Sequence, residues 1–316
     1  MLYDDDDDTR PSLSRRLRKS PGVITVAALV PACLAGWLIW HAVGGPDETS
    51  AKTPARTETQ TQGSTPSATS AKPSHTAAGD DKSDNGAPAG HKPLAGKVVV
   101  IDPGHNPNNY RHPTEINRRV NIGNGTTECD TTGTSTNNGY AEARFTLDVS
   151  HRLRALLEKQ GAKVRLTQND DHSFGPCVTE RAAFGNKAKA DAAISVHADG
   201  SSVGHRGFHV ILPALVKAGT ANTADIVAPS RDLGTRIAGK FVRDTRTSPS
   251  NYIGGGTGLD TRGDLGGLNL STVPKVFIEC GNMRDPKDAA LLTSGSWRQK
   301  AAQGIADGIS SFLHAE

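Results

Sequence analysis

The sequence predicts an α/β domain over residues 96–316, with a mainly parallel, twisted sheet and helices on both of its faces. The first observation is the run of four apolar residues from Val98 to Ile101. Runs without polar alternation are typical of parallel strands that are buried on both faces. The second observation is that short apolar runs recur downstream and are separated by amphipathic helical patterns. Strands and helices that alternate in this way indicate a three-layer architecture.

The first predicted strand ends at Asp102-Pro103-Gly104. Proline lacks a backbone donor and glycine tolerates unusual dihedrals, so the strand is expected to break there. His105 therefore lies at the carboxyl end of a buried strand, which is the edge where open α/β sheets bind their ligands. We treat His105 as a candidate ligand-binding residue.

A polar loop to about residue 138 leads into a helix predicted over residues 139–160. The apolar residues of this helix recur every three or four positions, and Glu142 lies on the same, inward-facing side. A carboxylate in the first turn could simply favour the helix dipole. The dipole explains the position of Glu142 along the helix but not its direction.

Later strands repeat the pattern of a polar side chain at the end of an apolar run. Strands are predicted over residues 162–167, 192–197, 207–212 and 274–279, and helices over 181–189, 232–244 and 297–313, with a glycine-rich loop at 254–267. His197 ends one of these strands and Glu279 ends another. A lone loop histidine is more often structural, but two histidines that end apolar strands beside inward carboxylates imply a cation or shared protons, because unpaired buried carboxylates are costly.

Two imidazoles and one carboxylate are the ligand set of catalytic zinc, which keeps a fourth coordination position open. Such a zinc ion activates water and polarises a carbonyl. A second carboxylate that is not a ligand could take the proton from the water and pass it to a leaving amine. The four residues His105, Glu142, His197 and Glu279 supply these groups.

Four segments carry a resemblance to a known family: residues 101–105 (Ile-Asp-Pro-Gly-His), 139–142 (Gly-Tyr-Ala-Glu), 194–199 and 276–282. Together, and in this order, they resemble the zinc-dependent N-acetylmuramoyl-L-alanine amidases of bacterial cell-wall turnover, the Amidase_3 group. The resemblance implies one zinc ion held by His105, Glu142 and His197, with Glu279 as the catalytic carboxylate. The implied reaction is hydrolysis of the amide between N-acetylmuramic acid and L-alanine in peptidoglycan.

Three positions depart from the family pattern. Asn106 begins an Asn-Pro-Asn-Asn segment where glycines and an aspartate are common, and glutamine instead of arginine follows Thr167. The Glu142 motif continues with Ala-Arg144 rather than with lysine. These departures bear on substrate contacts and loop geometry more than on the metal.

Other residues are candidates for supporting roles. Three could orient a ligand or touch the substrate: Asp199, His209 and Asn106. For His209, packing alone is an equal alternative. In an exported domain, Cys129 and Cys177 are a candidate disulfide pair that would hold the long loop near the site. Cys280 is expected to be a buried thiol, and the absence of a Cys-x-x-Cys pair in the sequence excludes a structural zinc ribbon.

The sequence before residue 96 has a different composition. Residues 1–21 form an acidic and then basic tail, and residues 22–43 form an uncharged apolar span long enough to cross a bilayer. The positive charge before this span predicts a transmembrane anchor with the following residues outside, and a cleaved signal segment is the alternative. Residues 44–95 are rich in Pro, Ser, Thr and Ala and are predicted to be a disordered linker.

The expected partners are peptidoglycan and, through the apolar span, the membrane. The net charge of +3 and the lack of a basic stripe interleaved with aromatic residues argue against a nucleic-acid partner. We expect a monomer. Two rival functions remain open: a zinc peptidase that acts on the peptidoglycan stem peptide, and a non-catalytic wall-binding or activator protein with the same fold.

Overall fold

The computed structural model describes residues 92–315. The predicted tail, the predicted anchor or signal segment and all but the last few residues of the predicted linker lie outside the described residues. Among residues 92–315, no helix is long and apolar enough to span a membrane. Leu94, which we assigned to the linker, is fully buried and its amide donates to the Gln160 carbonyl, so the packed region begins before residue 96.

Ten strands are present in the described part of the chain: β1 Val98–Pro103, β2 Arg119–Asn121, β3 Thr126–Glu128, β4 Lys163–Leu166, β5 Ala192–Asp199, β6 His209–Pro213, β7 Lys217–Ala218, β8 Ala221–Asn222, β9 Leu259–Arg262 and β10 Lys275–Asn282. Six of them form the central sheet, in the spatial order β4-β1-β5-β10-β6-β9. All neighbours in this sheet run parallel except β10 and β6, which are antiparallel. The prediction of a mainly parallel sheet is confirmed.

The helices of the described part are α1 Pro113–Ile116, α2 Glu142–Lys159, α3 Val178–Ala188, α4 Ala224–Thr245, α5 Gly266–Asn269, α6 Pro286–Leu292 and α7 Gly295–Leu313. The larger core lies on one face of the sheet, where α2, α4 and α7 cover the strands. A smaller cluster lies on the other face, where Phe184 of α3 packs near Val100 and Ala193. Helices on both faces confirm the predicted three layers.

Several boundaries differ from the sequence-based expectation. Helix α4 begins eight residues earlier than predicted and contains Pro229, which the sequence favours as a helix breaker. The predicted glycine-rich loop at 254–267 contains β9, and the loop after His105 contains α1 and the β2–β3 hairpin. Helix α6 was not predicted.

The register of three adjacent strands positions the site. Glu279 of β10 is paired with His197 of β5 on one side and with His209 of β6 on the other. Paired residues of neighbouring strands point to the same face of a sheet. The three side chains therefore lie in a row on one face, near the ends of β5 and β10 where the parallel strands finish.

Candidate metal and catalytic centre

The turn after β1 brings two histidines close together. His105 has a φ of 62°, a left-handed conformation that is uncommon for a residue with a side chain and is concentrated at functional sites. A Cβ atom on the preceding Gly104 would lie 2.3 Å from Cε1 of His197. Glycine is therefore required at position 104, because a larger residue would displace the His197 ring.

Glu142, the first residue of α2, lies between the two imidazoles. Its Oε2 is 3.2 Å from Nε2 of His105 and its Oε1 is 3.0 Å from Nδ1 of His197. The backbone amides of Thr134 and Ala198 also donate to this carboxylate, at 2.9 and 3.2 Å. Donor atoms of the two histidines and the glutamate all lie within 4.8 Å of one another. The structure thus brings together the three residues that we proposed as metal ligands.

A loop on the far side of His105 fixes the orientation of its ring. Nδ1 of His105 is 3.1 Å from the Thr131 carbonyl oxygen and 3.5 Å from Oδ1 of Asp130. Nδ1–H of His105 donates towards these oxygens, so that when the ring is neutral its lone pair lies on Nε2, the nitrogen that faces Glu142. Ligating histidines in metal sites are commonly held in this way.

The electrostatics of the site favour a positive charge at its centre. Burial disfavours the charged form of His105, but the carboxylates of Glu142 and Asp130 overcome it and raise the pKa of His105 to about 10. Burial would likewise raise the pKa of Glu142, but the two imidazoles hold it well below its usual range. The carboxylate is therefore charged and requires a cation, whether an imidazolium proton or a metal ion.

Glu279 faces the same cavity as these three residues. The cavity has a volume of about 320 Å³, and its lining includes His105, Glu142, His197, Asp199 and Glu279. Oε2 of Glu279 is buried and has no hydrogen-bond partner within the described part of the chain. Burial, with the nearby charges of Glu142 and Asp199, raises the pKa of Glu279 well above its ordinary value. An unpartnered carboxyl of raised pKa in a cavity is typical of a group that transfers protons.

Asp199 has a different partner from the one that the sequence suggested. It accepts hydrogen bonds from the Tyr252 hydroxyl and from the Gly200 amide. His197 instead directs its Nδ1 to Glu142. The structure pairs Asp199 with Tyr252, a residue that sequence reasoning did not single out because it lies 53 positions away in a loop.

Asn106 is buried and its side-chain amide is occupied within the protein. The amide nitrogen donates to the carbonyl oxygens of His172 and Gly175, at 3.2 and 3.1 Å, and Oδ1 accepts from the Asn108 amide. These bonds hold the turn after His105 against the segment that precedes α3. The structure thus gives Asn106 a role in holding loops.

His209 is only 2% exposed, and its Nδ1 has no hydrogen-bond partner among residues 92–315. It lies beside Glu279 in the β6–β10 register, and its ring meets Tyr252 edge-on at 6.1 Å. Burial lowers the pKa of His209, so the imidazole is neutral. His209 therefore lies next to the candidate catalytic carboxylate rather than among the three candidate ligands.

A buried ion-pair network centred on Arg181 supports the segments that carry His105 and Asp130. The Arg181 guanidinium donates to Asp102 at 2.8 Å and to Asp130 at 2.9 Å, and also to the His105 carbonyl oxygen at 3.0 Å. Asp130 thus connects Arg181 to the His105 ring. Sequence reasoning missed Asp130, and the only signal near it is the preceding residue, Cys129.

The predicted disulfide is confirmed, because Cys129 and Cys177 are bonded. It joins the loop that carries Asp130 and Thr131 to the start of α3, which carries Arg181. Cys280 is a free, buried thiol, as expected.

Comparisons with known proteins identify the family of this chain. The sequence profile of the Amidase_3 family, described as N-acetylmuramoyl-L-alanine amidase, matches residues 99–311. An N-acetylmuramoyl-L-alanine amidase of Mycobacterium tuberculosis is 41% identical over 221 residues, which cover 70% of this chain and 88% of that protein. The crystal structure of an N-acetylmuramyl-L-alanine amidase from Mycobacterium smegmatis matches with a TM-score of 0.65 at 39% identity, over 71% of this chain and 99% of that one. The corresponding enzyme from Mycobacterium abscessus, in its apo form, matches with a TM-score of 0.63 at 37% identity, over 70% of this chain and all of the other. The chain therefore belongs to the Amidase_3 family of N-acetylmuramoyl-L-alanine amidases.

Proposed function

We propose that this amidase is a zinc enzyme that hydrolyses the amide bond between N-acetylmuramic acid and L-alanine in peptidoglycan. His105, Glu142 and His197 would hold the zinc ion, and Glu279 would transfer the proton. The observation that carries the proposal is the position of the Glu142 carboxylate between two imidazoles, with the unpartnered Glu279 carboxyl in the same cavity.

The donor set fits zinc on chemical grounds. Two imidazole nitrogens and one carboxylate oxygen are the ligands of catalytic zinc sites that keep a position open for water or substrate. The His105 ring is oriented by Thr131 and Asp130, and the His197 ring is stacked on Phe277 with centroids 5.3 Å apart. When bound, zinc supplies a Lewis acid that polarises a carbonyl and lowers the pKa of water to about 7.

The chain's own residues supply the proton transfer. The buried Oε2 of Glu279 has no competing donor among the described residues, so it is free to accept a proton from the attacking water. The same carboxyl then donates that proton to the leaving nitrogen of L-alanine, as a general acid. His197 and Glu279 occupy paired positions of β5 and β10, which places the Glu279 carboxyl beside His197, one of the three candidate ligands.

Digestion of purified peptidoglycan by the full-length chain tests this function. We expect zinc-dependent release of free L-alanine amino termini, and loss of that release when a chelator removes the metal. New termini elsewhere in the stem would instead support the zinc peptidase. Zinc binding without any new termini would support the wall-binding or activator protein.

We also propose that the catalytic domain acts outside the cytoplasm, tethered by residues 22–43 and spaced by the linker. The Cys129–Cys177 bond supports this location, because disulfides persist in oxidising compartments outside the cytosol. Fractionation of cells with and without residues 1–43 of the chain tests the tether. The monomeric state stays a prediction, which light scattering of the purified protein would check.

A further inference from the structure

A second cleft adjoins the metal cavity. It has a volume of about 480 Å³, and its lining includes Tyr110, Arg144 and the turn at residues 132–135. Gly133 and Thr134 line both this cleft and the metal cavity. The Thr134 amide also donates to Glu142, so the wall between the two spaces is the turn that holds a candidate metal ligand. A substrate cleaved at the metal centre could therefore extend directly into the cleft.

The Arg144 guanidinium lines this cleft, and no contact within the described part of the protein explains its position. Arg144 is exposed, and its guanidinium forms no hydrogen bond or ion pair with another residue in the described range. It is the third residue of α2, where the positive end of the helix dipole disfavours a cation. Asp148, four residues further along the helix and in reach for a pair, is bonded to Arg152 and Arg298 instead. An unpaired guanidinium that lines a cleft is suited to an external anion such as a carboxylate or a phosphate.

The cleft also presents a fixed aromatic ring. Tyr110 is 62% exposed, although large apolar or aromatic side chains are otherwise mostly buried in the described region. Its hydroxyl accepts a 2.7 Å hydrogen bond from Arg111, whose guanidinium lies 5.2 Å from the ring centroid. The ring is thereby held in place while most of its surface stays open, which suits contact with an extended ligand.

The substrate carries different charges on the two sides of the scissile amide, and this difference indicates which side binds in the cleft. On the sugar side, the muramic acid carboxyl is consumed in the amide itself and the N-acetylated sugars are neutral. On the amine side, the stem peptide can carry a free carboxylate on its second residue. The cleft starts at Gly133 and Thr134, which also line the metal cavity, and two extended residues of a stem peptide span at most about 7 Å from the cleaved amide. A cation at this place therefore matches the amine side.

We propose that the cleft lined by Tyr110 and Arg144 is the subsite for the stem peptide, and that Arg144 selects a free carboxylate on the second residue of that peptide. This inference rests on the proposed function, because it takes the amide next to L-alanine as the bond that is cleaved. It adds a selectivity for a charged stem peptide. The three candidate ligands and Glu279 do not provide this selectivity.

The test combines a variant with a matched pair of substrates. The two muramoyl tripeptides are identical except that the α-carboxyl of the second residue is either free or amidated. We expect Arg144→Gln in the full-length chain to lower kcat/KM on the carboxylate form about 5- to 10-fold, the size of a charge-assisted contact that is partly exposed. On the amidated form the change should stay below about twofold, and Arg144→Lys should recover part of the loss. The control is Arg154→Gln, an exposed arginine on the same helix that is paired with Glu158.

Equal losses on both tripeptides, or no loss on either, would overturn the subsite. Calorimetric binding of the two free stem peptides to the wild type and to Arg144→Gln gives a readout that does not depend on turnover. If the wild type hydrolyses neither tripeptide, the proposed function fails. Tighter binding of the carboxylate peptide that disappears in Arg144→Gln would still support the subsite, and equal binding of both peptides would contradict it.

Discussion

The buried guanidinium of Arg181 offers a sharp test of how the site is supported. Its five hydrogen bonds go to the carboxylates of Asp102 and Asp130 and to three backbone carbonyl groups. The arginine is 4% exposed, and both carboxylates are also buried. Arg181→Met keeps most of the apolar stem but removes the charge and all of these donors.

The expected cost follows from the charges that remain. Removing one partner of a buried ion pair costs about 3–5 kcal/mol, because the other charge is left uncompensated. Asp102 keeps the Lys275 ammonium at 3.5 Å, whereas the ion-pair partner that remains for Asp130 is His105 at 3.5 Å, so the loss falls mainly on Asp130. For a domain of this size, each kcal/mol lowers Tm by about 2–4 °C, which gives a total decrease of about 6–20 °C.

Thermal unfolding followed by circular dichroism measures this loss. Arg154→Met is the matched control, because Arg154 forms an exposed pair with Glu158 that is worth at most about 0.5 kcal/mol. If Arg181→Met lowers Tm by no more than this control does, the network does not support the fold as we describe it.

Three further changes test other parts of the structure. Gly104→Ala should weaken zinc binding about 10- to 100-fold, measured by competition with a chelator, because the new Cβ would lie 2.3 Å from the His197 ring. The double substitution of Cys129 and Cys177 by alanine should cost about 4 kcal/mol in urea unfolding, since the bond closes a loop with a sequence separation of 48. Arg181 lowers the pKa of Asp130 to about 2 against the opposing effect of burial. The charged carboxylate therefore stabilises the fold above its unfolded pKa of about 3.9, and the urea midpoint should fall as the pH decreases from there towards about 2.

Each of these tests has a control or an outcome that would contradict it. Gly239→Ala, at an exposed helical position where a Cβ would touch nothing within 4 Å, should leave zinc affinity unchanged and stabilise the fold slightly. Unchanged zinc affinity in Gly104→Ala would show that the two histidine segments adjust freely. A disulfide cost below about 1 kcal/mol would contradict the chain-entropy argument. If the urea midpoint of Asp130→Asn falls with decreasing pH as steeply as that of the wild type, other carboxyl groups cause the fall.

Much of the layout followed from local patterns. The apolar run before His105 and the three-to-four spacing of Phe145, Val149, Leu153 and Leu157 correctly predicted a buried strand and the helix that packs on the sheet. Because parallel strands end at one edge, the positions of His197 and Glu279 at strand ends placed them near His105. These signals are local in sequence, and the sheet then determines where they meet.

The remaining features depend on contacts that a local pattern does not encode. Asp130 contacts Arg181 and His105, which are 51 and 25 positions away in the sequence, so no local pattern signals either contact. Strand β9, with few apolar residues, is held by its pairing with β6 rather than by its own sequence. Pro229 suggested a helix boundary, but α4 continues through it, because the packing of the helix on the sheet outweighs one missing backbone bond.

The measurement that tests the central claim most directly is the zinc content and turnover of Glu279→Gln in the full-length chain. The substitution keeps the shape of the side chain and removes its ability to carry the proton. We predict the same zinc content as the wild type, with a decrease in kcat on peptidoglycan of about 10²- to 10⁴-fold. Turnover within about a factor of two of the wild type, or loss of the zinc, would contradict the assignment of Glu279 as the proton-transferring group beside a metal held by His105, Glu142 and His197.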